Sequence, residues 1–147
     1  MSIEAPKATV IPAGDDLFIA TTPSGTAVTI DTNSGRHVAP SPMELLLLAL
    51  GSCTAVDVIN ILKKKRERVT DYRVEVRGER REDHPRGYRR LWVHHIIRGH
   101  HISTKAVAQA IELSENKYCS VAASLRPAAE ILSSYDVIEE PETTLPD

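Results

Sequence analysis

Aromatic residues are scarce in this 147-residue chain: one Phe, one Trp and four Tyr make up 4% of it. Tyr88 and Trp92, the rings nearest the arginines of 80–90, are read as hairpin packing residues, so no stacking surface for unpaired bases is expected. Neither sign of charge is in excess, 18 basic against 20 acidic residues for a net charge of −2, so neither nucleic acid nor an anionic membrane surface is an expected partner. The N-terminal stretch MSIEAPKATV lacks a basic segment followed by an apolar run and a small-residue cleavage site. No secretory signal is therefore expected, and the expected compartment is the cytoplasm. Cysteine is limited to Cys53 and Cys119, too far apart for a CxxC motif or a zinc knuckle of near neighbours. In a reducing compartment, any bond between these two is expected to be transient rather than structural.

What the chain does contain is first an organisation. Its length suits a single domain over residues 1–147. Residues 7–12, 16–22 and 25–31 are β-rich runs separated by the turn-forming AGDD and PSG, which predicts a meander. After the loop TNSGRHVAP comes the leucine-rich run MELLLLALGSCTAVDVINILKKK. Ser41, Pro42 and Glu44 form a start signal of cap, first-turn proline and capping-box acid, and Lys63, Lys64, Lys65 and Arg66 suit the negative end of the helix dipole. The spacing predicts one helix of about 24 residues, roughly 36 Å long. Its apolar stretch from Leu45 to Leu62 contains Ser52, Thr54, Asp57 and Asn60, and no second span follows, so a buried helix is expected rather than a membrane span. A helix apolar on nearly every face must be covered on all sides, and a second subunit is the natural source of the cover.

DYRVEVRGERRE and RRLWVHHIIRG alternate in polarity over much of their length, and DHPRGY joins them, which predicts a long hairpin. An amphipathic helix capped by Ser103 is expected next, then a second helix from about Cys119 to Leu132, kinked at Pro127 or broken there by a turn. A last strand is expected over residues 135–138, with 140–147 as a solvated tail. The order is an α+β plan.

Both cysteines lie in apolar surroundings, LALGSCTAVDVI and ENKYCSVAASL, which fits either two inert core thiols or a redox pair. A thiol reacts as thiolate, so the charges nearby matter. Cys119 precedes a helical pattern whose free amide N–H groups would stabilise a thiolate. Cys53 lies mid-helix, four residues from Asp57, and needs a cation from elsewhere. Arg36, in the preceding loop, is the candidate. Glu44 is the candidate acid, with the capping box as its structural alternative. It is nine residues from Cys53, about 13.5 Å along the axis and half a turn out of phase. Glu44 could therefore reach a thiol site only from the helix of a second subunit. His94, His95, His100 and His101 invite a metal reading. Adjacent strand residues face opposite ways, so His94 and His95 cannot both hold one ion, and no metal is expected.

SPMELLLLALGSCTAVDV and KYCSVAASL resemble the two cysteine motifs of the OsmC/Ohr family of thiol peroxidases, most closely its YhfA-type branch. VTDYRVEVRGERREDHPRGYRRLWVHHIIRG and AVAQAIELSENKYCSV extend the resemblance. It implies an OsmC-like intertwined homodimer, with long central helices packed between antiparallel β-sheets and active sites at the subunit interface. It also implies that Cys53 attacks a hydroperoxide, that Cys119 resolves the sulfenic acid as a disulfide, and that a dithiol reductant resets the pair. Arg36 and Glu44 would take the activating roles, and no cofactor is implied. Family members place the glutamate directly after the proline, where this chain has Met43. A one-residue shift turns a helical side chain by about 100°. A non-catalytic binder of a hydrophobic small molecule, or a redox sensor, stays open as the alternative.

Overall fold

The computed structural model of the chain describes residues 4–143 and 146. It divides into two compact units, residues 1–46 and 47–147. In the first, β1 (Thr9–Pro12), β2 (Leu17–Thr21) and β3 (Ala27–Asp31) form an antiparallel meander in that order. Gly14 and Gly25 take positive φ in the two turns, where a Cβ would add strain. The expected three strands are all present.

Helix α1 (Pro42–Lys64) starts where its sequence signals place it. The Glu44 amide donates to Ser41 Oγ at 3.2 Å and the Ser41 amide donates to Glu44 Oε1 at 3.0 Å, a reciprocal capping box. Within 47–147, strands β4 (Arg68–Arg80), β5 (Tyr88–His100) and β6 (Glu130–Glu139) form a three-stranded sheet with β5 in the centre. Leu91, Val93, His95 and Ile97 are buried at alternate positions of β5, the period-two signature of a strand with one covered face. Val58 and Leu62 of α1 close that core with Ile97, Ile102, Ala106, Val107, Ala110 and Ile111. Gly51 lets α1 approach β4: a Cβ there would lie 3.1 Å from Val76 Cγ2.

The stripe of α1 that is buried is narrow: Leu50, Thr54, Val58 and Leu62. Leu48 and Val56 are 59% and 52% exposed, so this chain alone leaves part of the apolar helix uncovered.

Two expectations are corrected. The helix predicted to run to Leu132 is only α3 (Ser120–Leu125), and residues from Glu130 are already strand β6. Pro127 lacks the amide N–H a continuing helix needs; Arg126 before it keeps helical dihedrals, and one further turn, closed by the Ala128 and Ala129 amides on the Leu125 carbonyl, leads into β6. The resemblance implied antiparallel sheets, but β6 runs parallel to β5, making this sheet mixed. A parallel neighbour requires a long crossover, and α2 (Thr104–Leu113) and α3 supply it. Glu140 and Glu142 of the expected tail are tied to the sheet, the Glu140 amide donating to the Gly99 carbonyl and Arg68 pairing with Glu142 at 3.1 Å. Positions 144, 145 and 147 of that tail lie outside the described residues.

Candidate active site

Cys53 is half-buried on the middle of α1, and Cys119 is buried at 3% exposure. The route by which the chain brings Cys119 to its place was not legible in advance. Helix α2, capped by Ser103 Oγ accepting from the Ala106 amide, runs into a π-turn over Ser114–Tyr118. The Cys119 amide closes that turn on the Ser114 carbonyl at 2.7 Å. Cys119 is then extended and caps α3, its Sγ accepting from the Ala122 amide at 3.3 Å. There its thiol lies beside that of Cys53. The chain's only two thiols, remote in sequence, are thus neighbours.

Burial pushes the Cys119 thiol up to about 11, and the neighbouring Cys53 thiol pushes the same way. The amides of Ala122 and Val121 pull it down by less. The expectation that its own helix end would activate Cys119 is therefore corrected. The amides are present, but α3 is a six-residue helix and the thiol it receives is desolvated. Cys119 holds its proton.

Beneath the thiols lies a polar chain that the sequence did not announce. The Ser114 hydroxyl, fully buried, donates to Asp57 Oδ2 at 2.9 Å and lies 3.0 Å from Thr54 Oγ1. Its single proton goes to the carboxylate, so Thr54 is the donor in the second bond. Farther along, Tyr72 Oη and His95 Nδ1 share a 2.7 Å hydrogen bond. Burial first, then the charge of Asp57, raises the Tyr72 phenol well above its ordinary value. His95 is fully buried, and burial first, then His94, pushes it down to about 4.

Arg36 and Glu44 have partners within residues 1–46. Arg36 binds Asp31 through two bonds of 3.0 Å and holds its carboxyl down to about 2, while Asp31 also accepts the Asn33 and Val38 amides. Glu44 serves the capping box, and the Ser41 amide keeps its carboxyl below the usual range. His94 and His95 face opposite sides of the sheet, His94 meeting Ser134 at 2.7 Å and Asp136 at 2.9 Å. No cluster of three or more metal-ligating side chains occurs among the described residues.

The family described as OsmC-like protein matches residues 33–133, a span that contains both cysteines, Arg36 and Glu44. The chain belongs to the OsmC/Ohr family. Within it, the YhfA-type branch is the right one: the chain is 45% identical over 121 residues to Protein YhfA of Escherichia coli strain K12, covering 82% of this chain and 90% of that protein. The crystal structure of a hypothetical protein from Aquifex aeolicus VF5 is 34% identical with a TM-score of 0.82, covering 95% of this chain and all of that one. An organic hydroperoxide resistance protein from Elizabethkingia anophelis shares the OsmC/Ohr fold, with a TM-score of 0.70 at 13% identity over 95% of this chain and 99% of that one.

Proposed function

We propose that this OsmC/Ohr protein is a cytoplasmic, homodimeric cysteine peroxidase that reduces organic or other hydroperoxides through a transient Cys53–Cys119 disulfide. The observation that carries the reading is the juxtaposition of the chain's only two thiols. Because Cys119 keeps its proton, Cys53 is assigned the attack. Its sulfur takes the terminal oxygen of the hydroperoxide, the O–O bond breaks, and the alcohol leaves with the thiol proton. The Cys119 sulfur then displaces the sulfenic hydroxyl, whose departure with the Cys119 proton yields water and the disulfide. A dithiol reductant returns both thiols, becoming a disulfide itself. Arg36 and Glu44 stay in the proposal as activating groups, although each has a structural partner in hand. The hydroperoxide resistance of the Elizabethkingia relative supports the substrate class.

The test is a single turnover with one equivalent of cumene hydroperoxide. Peroxide should disappear within seconds together with both free thiols. Cys53→Ala should abolish the reaction, and Cys119→Ala should stop it at a sulfenic acid trapped by dimedone. Arg36→Ala and Glu44→Ala should each slow the first step by about tenfold or more, as loss of an activating group does. No peroxide loss over minutes in the reduced protein rejects the enzyme. Met43 at the family's acid position favours one other reading, a redox sensor; it would form the disulfide once without sustained turnover in the presence of dithiol.

A further inference from the structure

Ser114 occupies an unusual place. It is fully buried, so its hydroxyl has no water to bond instead, and both of its side-chain partners stand on α1. Thr54 and Asp57 are three residues apart and so share a helix face, and Asp57 is also the (i, i+4) neighbour of Cys53. The same residue's carbonyl receives the Cys119 amide at 2.7 Å. One residue thus grips the α1 turn that bears Cys53 with its side chain and the segment bearing Cys119 with its backbone. The ring closed by that amide is a single π-turn, so the path from anchor to thiol has little freedom.

We propose that Ser114 is the positioning residue of the thiol pair, its bonds to Thr54 and Asp57 holding Cys119 within reach of Cys53. The inference rests on reading Cys53 and Cys119 as a redox couple. Its consequence is that disulfide formation needs no rearrangement of the Cys119 segment. The anchor converts an encounter between remote parts of the chain into a reaction between sulfurs already in place, the condition that gives intramolecular reactions high effective concentrations. Cutting the anchor leaves both thiols present but lowers the concentration each experiences of the other.

The experiment equilibrates the full chain, and its Ser114→Ala, Thr54→Val and Thr54→Ser variants, with mixtures of reduced and oxidised glutathione. The fraction of Cys53–Cys119 disulfide gives the effective concentration of the pair without any peroxide. Ser114→Ala should lower it by about tenfold or more, a buried hydrogen-bonded hydroxyl having been removed. Thr54→Val should lower it by less, and Thr54→Ser should restore it. In the peroxide reaction, Ser114→Ala should slow disulfide formation more than sulfenic acid formation. If Ser114→Ala does not fold, the Thr54→Val and Thr54→Ser pair decides. Values within twofold of wild type for the folded variants overturn the anchor. Failure of the peroxidase reading looks different: in the glutathione mixtures the Cys53–Cys119 disulfide forms with the expected dependence on Ser114, while cumene hydroperoxide is untouched.

Discussion

Burial acts on two titratable side chains in opposite senses, because it penalises whichever form is charged. For Cys119 the charged form is the thiolate. Its folded-state value of about 11 lies above the ordinary 9.0, so the folded protein binds more protons in that interval and loses stability as pH rises from about 9 to about 11. Titrating the thiolate absorbance of the full chain should place the Cys119 midpoint near 11. In Cys53→Ala it should move down, because one of the two leading upward influences is gone; an unchanged midpoint would show that the neighbouring sulfur has no electrostatic weight. For His95 the charged form is the imidazolium. Its folded value of about 4 lies below 6.5, so the unfolded chain takes the proton first and stability falls as pH drops from about 6.5 to 4. The loss is up to about 3 kcal/mol for a shift of this size. Urea midpoints of wild type and His95→Gln across that interval should show a shallower acid limb in the variant, and parallel curves would reject the assignment. At this scale the sequence was legible where partners are local. The Ser41–Glu44 box could be read from spacing alone, whereas the Arg36–Asp31 pair, five residues apart in a loop, has no regular spacing to betray it, and the bonds of Ser114 depend on helices meeting after the chain has folded.

Elements were easiest to read where hydrophobic period and punctuation agreed. The strands β4 and β5 and the start of α1 satisfy both conditions, and each lies where its pattern put it. The region after Cys119 satisfies only one. Apolar residues at helical spacing continue to Leu132, but the sheet gives residues from Glu130 a backbone partner along β5 from Arg90 to Gly99, and Pro127 has already stopped the helix. The π-turn has no spacing signature, since it is fixed by the tie between Ser114 and Cys119. Glycine is the other element-level device. A Cβ on Gly99 would lie 2.2 Å from the Arg68 carbonyl oxygen, a backbone atom that cannot swing aside, and 2.8 Å from Ile102 Cδ1. Gly99→Ala should therefore separate the end of β5 from the start of β4 and cost about 2 kcal/mol or more. That corresponds to a fall in melting temperature of roughly 5 °C or more for a chain of this size. A melting temperature equal to wild type would mean the strands can part there freely.

For the whole molecule, the decisive quantity is the apolar surface of α1 that one chain leaves uncovered. Leu48, Ser52 and Val56 follow one another at intervals of four and form a single exposed stripe, on the helix that bears Cys53. Water against such a stripe costs about 25 cal/mol per Å² of apolar area, and a second copy of the same helix would remove the cost symmetrically. The proposed homodimer follows from this stripe together with the sequence argument that Glu44 can reach a thiol site only from another subunit. Equilibrium sedimentation at micromolar concentration should give twice the 16.2 kDa of one chain. Leu48→Asp would put an unpaired carboxylate into the contact, at a cost of several kcal/mol, and should yield monomers. If the dimer also completes the site, that variant should lose peroxide turnover while its Cys53–Cys119 pair still equilibrates with glutathione as in wild type, because Ser114 and its partners all belong to one chain. A wild-type protein sedimenting as a monomer would remove both the interface and the role proposed for Glu44, and would leave the thiol pair of a single subunit to account for any activity.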